Sequence, residues 1–217
     1  MINKNLKKRI VTSFALIGLL YLFTITDLIL VYCLIVLGVV AIIEFLNLTK
    51  KIVNNKVFLY FFNLSFISYI FIFSSIVTIL SKFPQAKFLM ILLILTCAAS
   101  DIGGYIFGKI LKGPKLTKIS PNKTISGSIG SIFLASITLT SLVFFLTDNF
   151  NSLIIMISVI TSIFCQLGDL FISYLKRKAK VKDTGNFFPG HGGVLDRIDG
   201  ILIGLPAGLI SLIILFQ

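Results

Sequence analysis

The chain alternates long apolar runs with short polar breaks, and the runs are too long for the strands or helices of a soluble core. Seven are legible, at residues 10–25, 28–46, 57–80, 88–110, 127–146, 152–175 and 198–216. The first follows Lys4, Lys7, Lys8 and Arg9, as the apolar part of a signal peptide would. No small-x-small cleavage site closes it and further runs follow at once, so it reads as a first membrane-crossing helix. The third run, 24 residues long, exceeds the roughly 20 that span a bilayer and implies tilt. The pattern predicts an all-α protein: a polytopic integral membrane bundle of about seven transmembrane helices in one membrane-embedded domain over residues 1–217. Residues 1–97 supply supporting spans, and residues 98–217 carry the polar loops and the spans that flank them.

Composition agrees with this class. Hydrophobic residues make up 57% of the chain, charged residues 13%, and mean hydropathy is +1.04, against about half apolar and about a quarter charged in soluble domains. A net charge of +12 would suggest nucleic acid in a soluble protein. In a membrane protein the basic residues instead mark loops on the cytoplasmic side, and nucleic acid is not an expected partner. With the N-terminus inside, the N-terminal segment and the second, fourth and sixth loops hold 18 of the 20 Lys and Arg; only Lys82 and Lys87 fall outside. The expected topology is N-terminus cytoplasmic, with both long polar loops facing the cytoplasm from the inner membrane. Cys33, Cys97 and Cys165 lie in apolar runs without metal-ligand spacing and read as small buried hydrophobes.

Chemistry concentrates at residues 173–200, which hold six of the Lys and Arg, three of the eight acids and the single histidine. Lys176, Arg177, Lys178, Lys180 and Lys182 form a basic run, followed by Asp183, a turn at Pro189, Gly190, His191, Gly192 and Gly193, and then Asp196, Arg197 and Asp199. Asp196 and Asp199 are three apart and share one helical face. Asp101 and Asp169 are carboxylates inside apolar spans, costly unless paired, hydrated or bound to a cation. Three or four such groups at one membrane level suit a hard cation, most simply Mg²⁺ serving a polyphosphate among lysines. The glycines of the turn let backbone N–H groups approach an anion.

The second polar loop, residues 108–127, carries Lys112, Lys115, Lys118 and Lys123 among Gly113, Pro114, Pro121, Ser120, Asn122 and Thr124. Basic side chains, hydroxyls and sharp turns suit a triphosphate. Residues 103–110, GGYIFGKI, come near a phosphate-binding P-loop, but no strand precedes them and Ile110 stands where a metal-binding hydroxyl is required. In the last run Gly200, Gly204 and Gly208 lie four apart, which places three small residues on one face for close helix packing.

Residues 173–199 resemble the signature of the phosphatidate cytidylyltransferases, the CDP-diacylglycerol synthases. Ser173, Lys176, Arg177, Lys182, Asp183, Gly185, Pro189, His191 to Gly193, Asp196, Arg197 and Asp199 stand at its fixed positions. Ser120, Pro121, Lys123, Thr124 and Gly127 are similar to the family's second block, and Gln166, Gly168, Asp169 and Leu170 to the lead-in. One departure is that Ile125 and Ser126 occupy positions where the family commonly has Trp-Glu. The resemblance implies transfer of CMP from CTP to phosphatidate, giving CDP-diacylglycerol and pyrophosphate in phospholipid biosynthesis. It also implies roles. Asp169, Asp196 and Asp199 would bind metal, with Asp101 as a further ligand; two cations about 4 Å apart fit such a site. Ser120, Lys123 and Thr124, with Pro121, Asn122, Gly192 and Gly193 around them, would hold the CTP phosphates. Lys176, Arg177, Lys182 and Arg197 would hold the lipid phosphate or pyrophosphate, with Asp183 and His191 orienting neighbours. CTP, phosphatidate and the bilayer are the expected partners, and the resemblance together with the glycine face suggests a homodimer.

Two other enzyme classes and one non-enzyme class compete. A CTP-dependent lipid kinase would leave CDP in place of pyrophosphate. A CDP-alcohol phosphotransferase needs a downstream Ala-Arg and paired aspartates absent after Asp199. A transporter would set its acids near the midplane, whereas Asp169 lies about 10 Å from the loop at 1.5 Å per residue.

Overall fold

The computed structural model describes residues 26–117, 120–121, 123–188 and 192–216. Among these, six helices follow in order and no strand forms: α1 (Asp27–Ile52), α2 (Lys56–Ser81), α3 (Pro84–Leu111), α4 (Ile125–Thr147), α5 (Ser152–Lys178) and α6 (Leu195–Leu215). All six are long and apolar enough to cross a membrane, with mean hydropathies between 1.9 and 2.9. Helices are the expected solution, because lipid offers no partner for a free N–H or C=O. The protein is thus an all-α integral membrane protein. The first apolar run, at residues 10–25, lies outside the described residues.

The observed helices extend past the apolar runs, and each extension has a local cause. α1 continues through Lys50 and Lys51, past the apolar run that ends at residue 46; cations in a last turn complement the helix dipole. α3 starts at Pro84, a residue favoured in a first turn because its missing N–H needs no partner there. α4 starts behind Thr124, whose hydroxyl accepts from Gly127 N–H at 3.1 Å. α5 runs on to Lys178 and ends in a two-bond turn: Lys180 N–H donates to Arg177 C=O at 3.1 Å and Val181 N–H to Lys176 C=O at 3.0 Å. This is the Schellman arrangement, with Lys180 in the left-handed conformation at φ 55°. α6 begins at Leu195, three residues before the apolar run, so Asp196 and Arg197 belong to its first turn.

The chain groups into two compact units. The first joins residues 1–84 to 175–197, the second 85–174 to 198–217. In the first unit α1 lies against α2. Phe45 stacks on Phe66 with centroids 3.8 Å apart, and Thr49 Oγ1 donates to Asn63 Oδ1 at 2.7 Å. The outer face of α2 presents Phe58, Tyr60, Phe61 and Phe71, all well exposed, as a lipid-facing surface requires.

The second unit is knit by small residues and hydroxyls. Helices cannot be driven together by apolar burial in lipid, so close packing and interhelical hydrogen bonds do that work. A Cβ on Gly103 would stand 2.9 Å from Leu134 Cβ, and one on Gly104 2.6 Å from Ser131 Oγ, so α3 and α4 meet almost backbone to backbone. The P-loop-like glycines therefore serve helix packing. Ser100 Oγ and Ser162 Oγ share a hydrogen bond at 2.8 Å, Ser158 Oγ donates to Ser136 Oγ at 2.9 Å, and Ser128 Oγ donates to Gln166 Oε1 at 2.5 Å. The α6 glycine face behaves as expected. A Cβ on Gly204 would lie 3.0 Å from Cys97 Sγ, and one on Gly208 2.6 Å from Thr161 Oγ1. Because that face is filled by α3 and α5 of the same chain, it lends no support to a dimer.

Candidate active site

The site residues predicted from sequence fall into two groups, one in each unit. The second unit holds a cavity of about 250 Å³, lined among others by Asp101, Tyr105, Lys123, Thr124, Ser128, Ser131, Gln166 and Asp169. Lys123 reaches it because the preceding loop folds back as a tight hairpin. Leu116 N–H donates to Lys123 C=O at 2.8 Å, Ile125 N–H to Pro114 C=O at 3.0 Å, and Lys115 bridges Thr124. Ser120 and Pro121 form the turn: Lys123 N–H donates to Ser120 C=O at 3.0 Å. The Lys123 ammonium forms an ion pair with the Asp169 carboxylate, the side chains 26% and 32% exposed. Ser173 Oγ, one turn along α5, donates to Asp169 Oδ1 at 3.4 Å.

Thr124, expected to hold a phosphate, caps α4 with its hydroxyl and meets Ser126 Oγ at 3.0 Å while still lining the cavity. Ser126 itself ties the loop by donating to Lys112 C=O. Asp101 lines the same cavity and its Oδ1 accepts from Cys165 Sγ at 3.7 Å. Asp199 lies at the α5–α6 contact, where a Cβ on Gly168 would overlap its carbonyl; its own Oδ1 accepts from Gly200 N–H at 2.9 Å.

The first unit holds the basic run and the glycine turn. Here the central group is Asp196, whose carboxylate is 7% exposed. Oδ1 meets Lys176 Nζ at 2.6 Å. Oδ2 accepts from Thr184 N–H at 2.8 Å, Thr184 Oγ1 at 3.0 Å and Gly193 N–H at 3.0 Å. The bond to Gly193 ties the end of the glycine turn to the first turn of α6. Gly192, at φ 84°, supplies the left-handed residue of the turn; it packs on Asp183, and its C=O accepts from Phe188 N–H at 3.0 Å. Arg177, Lys182, Asp183 and Arg197 are exposed around this core. His191 and Asn122 lie outside the described residues.

A second buried carboxylate in this unit is absent from the sequence-predicted set. Glu44 of α1 is 5% exposed. Its Oε1 accepts from Val194 N–H at 3.0 Å, and Oε2 accepts from Leu195 N–H at 2.9 Å and Thr184 Oγ1 at 2.7 Å. The one signal in the sequence was an acid inside an apolar run, where a charge needs a partner.

Hard oxygen donors dominate both groups, yet among the described residues no three His, Cys, Asp or Glu side chains are grouped to hold a metal. The cavity offers two carboxylates, an amide and hydroxyls around one ammonium. That set can bind and orient a phosphate chain and a cation accompanying it.

The sequence model of the cytidylyltransferase family matches residues 4–215. Over 109 residues the chain is 47% identical to a phosphatidate cytidylyltransferase of Staphylococcus haemolyticus, covering 49% of this chain and 42% of that protein. A Rickettsia bellii protein of the same name is 42% identical over 140 residues, 61% of each chain, and one from Helicobacter pylori 42% identical over 123 residues, 53% of this chain and 43% of that one. The matched stretches thus span about half the length of these relatives. With a family match that runs almost end to end and a signature whose polar residues build two ordered groups, the chain belongs to the cytidylyltransferase family.

Proposed function

We propose that the protein is a nucleotidyltransferase that converts CTP and phosphatidate to CDP-diacylglycerol and pyrophosphate. The observation that carries this reading is the cavity in which Lys123, Asp169 and Asp101 converge at apolar helices. The names of the relatives supply the substrates. An oxygen of the phosphatidate phosphate attacks the α-phosphorus of CTP; that P–O bond forms as the bond to the β-phosphate oxygen breaks, and pyrophosphate leaves. The nucleophile is already anionic, so no strong base is needed. What the reaction demands is positive charge to bring two anions together and to receive the leaving group.

Lys123 would hold CTP phosphates, with the Ser120 and Thr124 loop setting its position. Lys176, Arg177, Lys182 and Arg197 would hold the lipid phosphate or pyrophosphate. Magnesium fits the cavity's donor set, since it binds through one or two carboxylates and completes its shell with water and substrate phosphates. Asp169 and Asp101 would hold it, with Asp199 as a further ligand that the family resemblance implies. Asp196, the other ligand that resemblance implies, has both oxygens engaged by Lys176, Thr184 and Gly193 and would instead keep its own loop in shape. When bound, the ion would offset phosphate charge and stabilise the departing oxygen.

Seven spans, a cytoplasmic N-terminus and an inner-membrane site facing the cytoplasm belong to the same proposal, supported by the Lys and Arg asymmetry. A homodimer rests on the family resemblance alone. The test is purified protein in phosphatidate-containing vesicles with α-labelled CTP, with and without Mg²⁺. Labelled lipid with equimolar pyrophosphate is expected, only with the cation. CDP release with a phosphorylated alcohol would make it a kinase, and no labelled lipid would overturn the reading.

A further inference from the structure

We propose that Glu44 is a positioning residue for the transfer reaction, the fixed point around which the Asp196 loop is assembled. This rests on the proposed activity. Glu44 contributes nothing that could touch a substrate: it is buried, and both oxygens are engaged by the protein. What it holds is informative. Val194 and Leu195 supply the N–H groups that open α6, and a helix leaves its first N–H groups without intrahelical partners. Here a carboxylate from a helix about 150 residues earlier satisfies two of them, each on a different oxygen. The negative charge also lies at the positive end of the α6 dipole.

The third donor links Glu44 to the chemistry. Thr184 Oγ1 stands 2.7 Å from Glu44 Oε2 and 3.0 Å from Asp196 Oδ2. Glu44 therefore fixes the start of α6, on which Asp196 stands, and the Thr184 hydroxyl that meets Asp196. The orientation of Asp196, and of Lys176 paired with it, follows. The loop is built to admit this group: a Cβ on Gly185 or Gly193 would overlap the Glu44 carboxylate. Those two positions are glycine for the space Glu44 needs.

The test uses the intact chain in phosphatidate-containing vesicles, comparing wild type, Glu44→Gln and Asn63→Ala. Glutamine keeps the shape but turns one acceptor into a donor facing N–H groups. Asn63→Ala breaks the Thr49 contact elsewhere on α1 and serves as a control for general destabilisation. Glu44→Gln should lower kcat at least about 20-fold while KM for CTP stays within about threefold. Amide exchange at Val194 and Leu195 should speed up at least tenfold, and Asn63→Ala should change neither. Unchanged exchange at those amides in Glu44→Gln, or an equal kcat loss in Asn63→Ala, overturns the proposal. Should Glu44→Gln not accumulate, Thr184→Val removes only the connecting hydroxyl. A loss of about tenfold in kcat supports the proposal, and a wild-type kcat overturns it. An inactive wild type with fast exchange in Glu44→Gln would sink the transfer reaction but leave the anchor standing.

Discussion

Asp196 and Asp169 are both signature acids next to apolar helix, yet their surroundings differ in kind. Asp196 is closed: one ammonium, two backbone N–H groups and a hydroxyl engage its two oxygens, and 7% of the side chain is exposed. Asp169 is open: it faces a cavity, meets Lys123 and one distant hydroxyl, and is 32% exposed. A carboxylate saturated by its own protein holds a loop in shape. One left partly unsatisfied beside a cavity can take on a ligand. The difference separates two jobs that a shared signature presents as one.

The sharpest way to break the comparison is Asp169→Asn. If the open acid serves the reaction, CTP-dependent pyrophosphate release should fall at least about 10³-fold, because it removes charge that acts at the reacting phosphates. The thermal midpoint should stay within a degree or two, since a partly exposed ion pair is worth little. Unchanged turnover would mean the cavity is not where transfer occurs. Asp196→Asn should differ in costing stability as well as turnover. It takes one partner from a buried network, which costs about 3 kcal/mol, so the midpoint should drop by several degrees and the amides of Thr184 and Gly193 should exchange faster. A fully stable Asp196→Asn protein would show that the closed acid is not structural.

Lys123→Met comes next. The ammonium lies in the cavity beside Asp169, and removal of one preorganised electrostatic donor usually costs about 10²-fold. The loss should appear mainly with CTP, and Lys123→Arg should recover part of it. A loss confined to phosphatidate binding would move the nucleotide out of this cavity.

Much of this arrangement was legible in the residues. The apolar runs gave the helices, and the spacing of Gly200, Gly204 and Gly208 gave the tight face of α6. Lys123 and Asp169 were both named from motif, and the structure joins them as an ion pair. Glu44 was missed because its meaning lies in residues 140 to 151 positions away; a lone acid near a span's end has an ordinary explanation. The split between Asp196 and Asp169 was invisible for a related reason. The two acids flank the same basic run, residues 176–182, and each stands near a glycine; only folding decides whose donors are used up. Helix ends were misplaced where a polar residue, Lys51 or Lys178, continued a helix that hydropathy had already ended.

The smallest effect is expected at Lys180, and it tests whether the basic run acts through charge or through backbone. Lys178 and Lys180 belong to the basic run but stand at no fixed position of the family signature. The structure adds that Lys180 occupies the left-handed position of the α5 terminus, at φ 55°, where glycine is the usual residue. A side chain there costs roughly 1–2 kcal/mol. Glycine removes that strain but frees the unfolded chain, at a cost of roughly 0.4–1 kcal/mol. Lys180→Gly should therefore stabilise the protein by about 0.5 kcal/mol and leave turnover within twofold, because the closed network around Asp196 does not include this side chain. Lys180→Ala removes the same charge but keeps the Cβ, and should show no stability gain. If both variants lose turnover equally, the ammonium at 180 reaches a substrate, and the boundary between scaffold and chemistry lies inside the basic run.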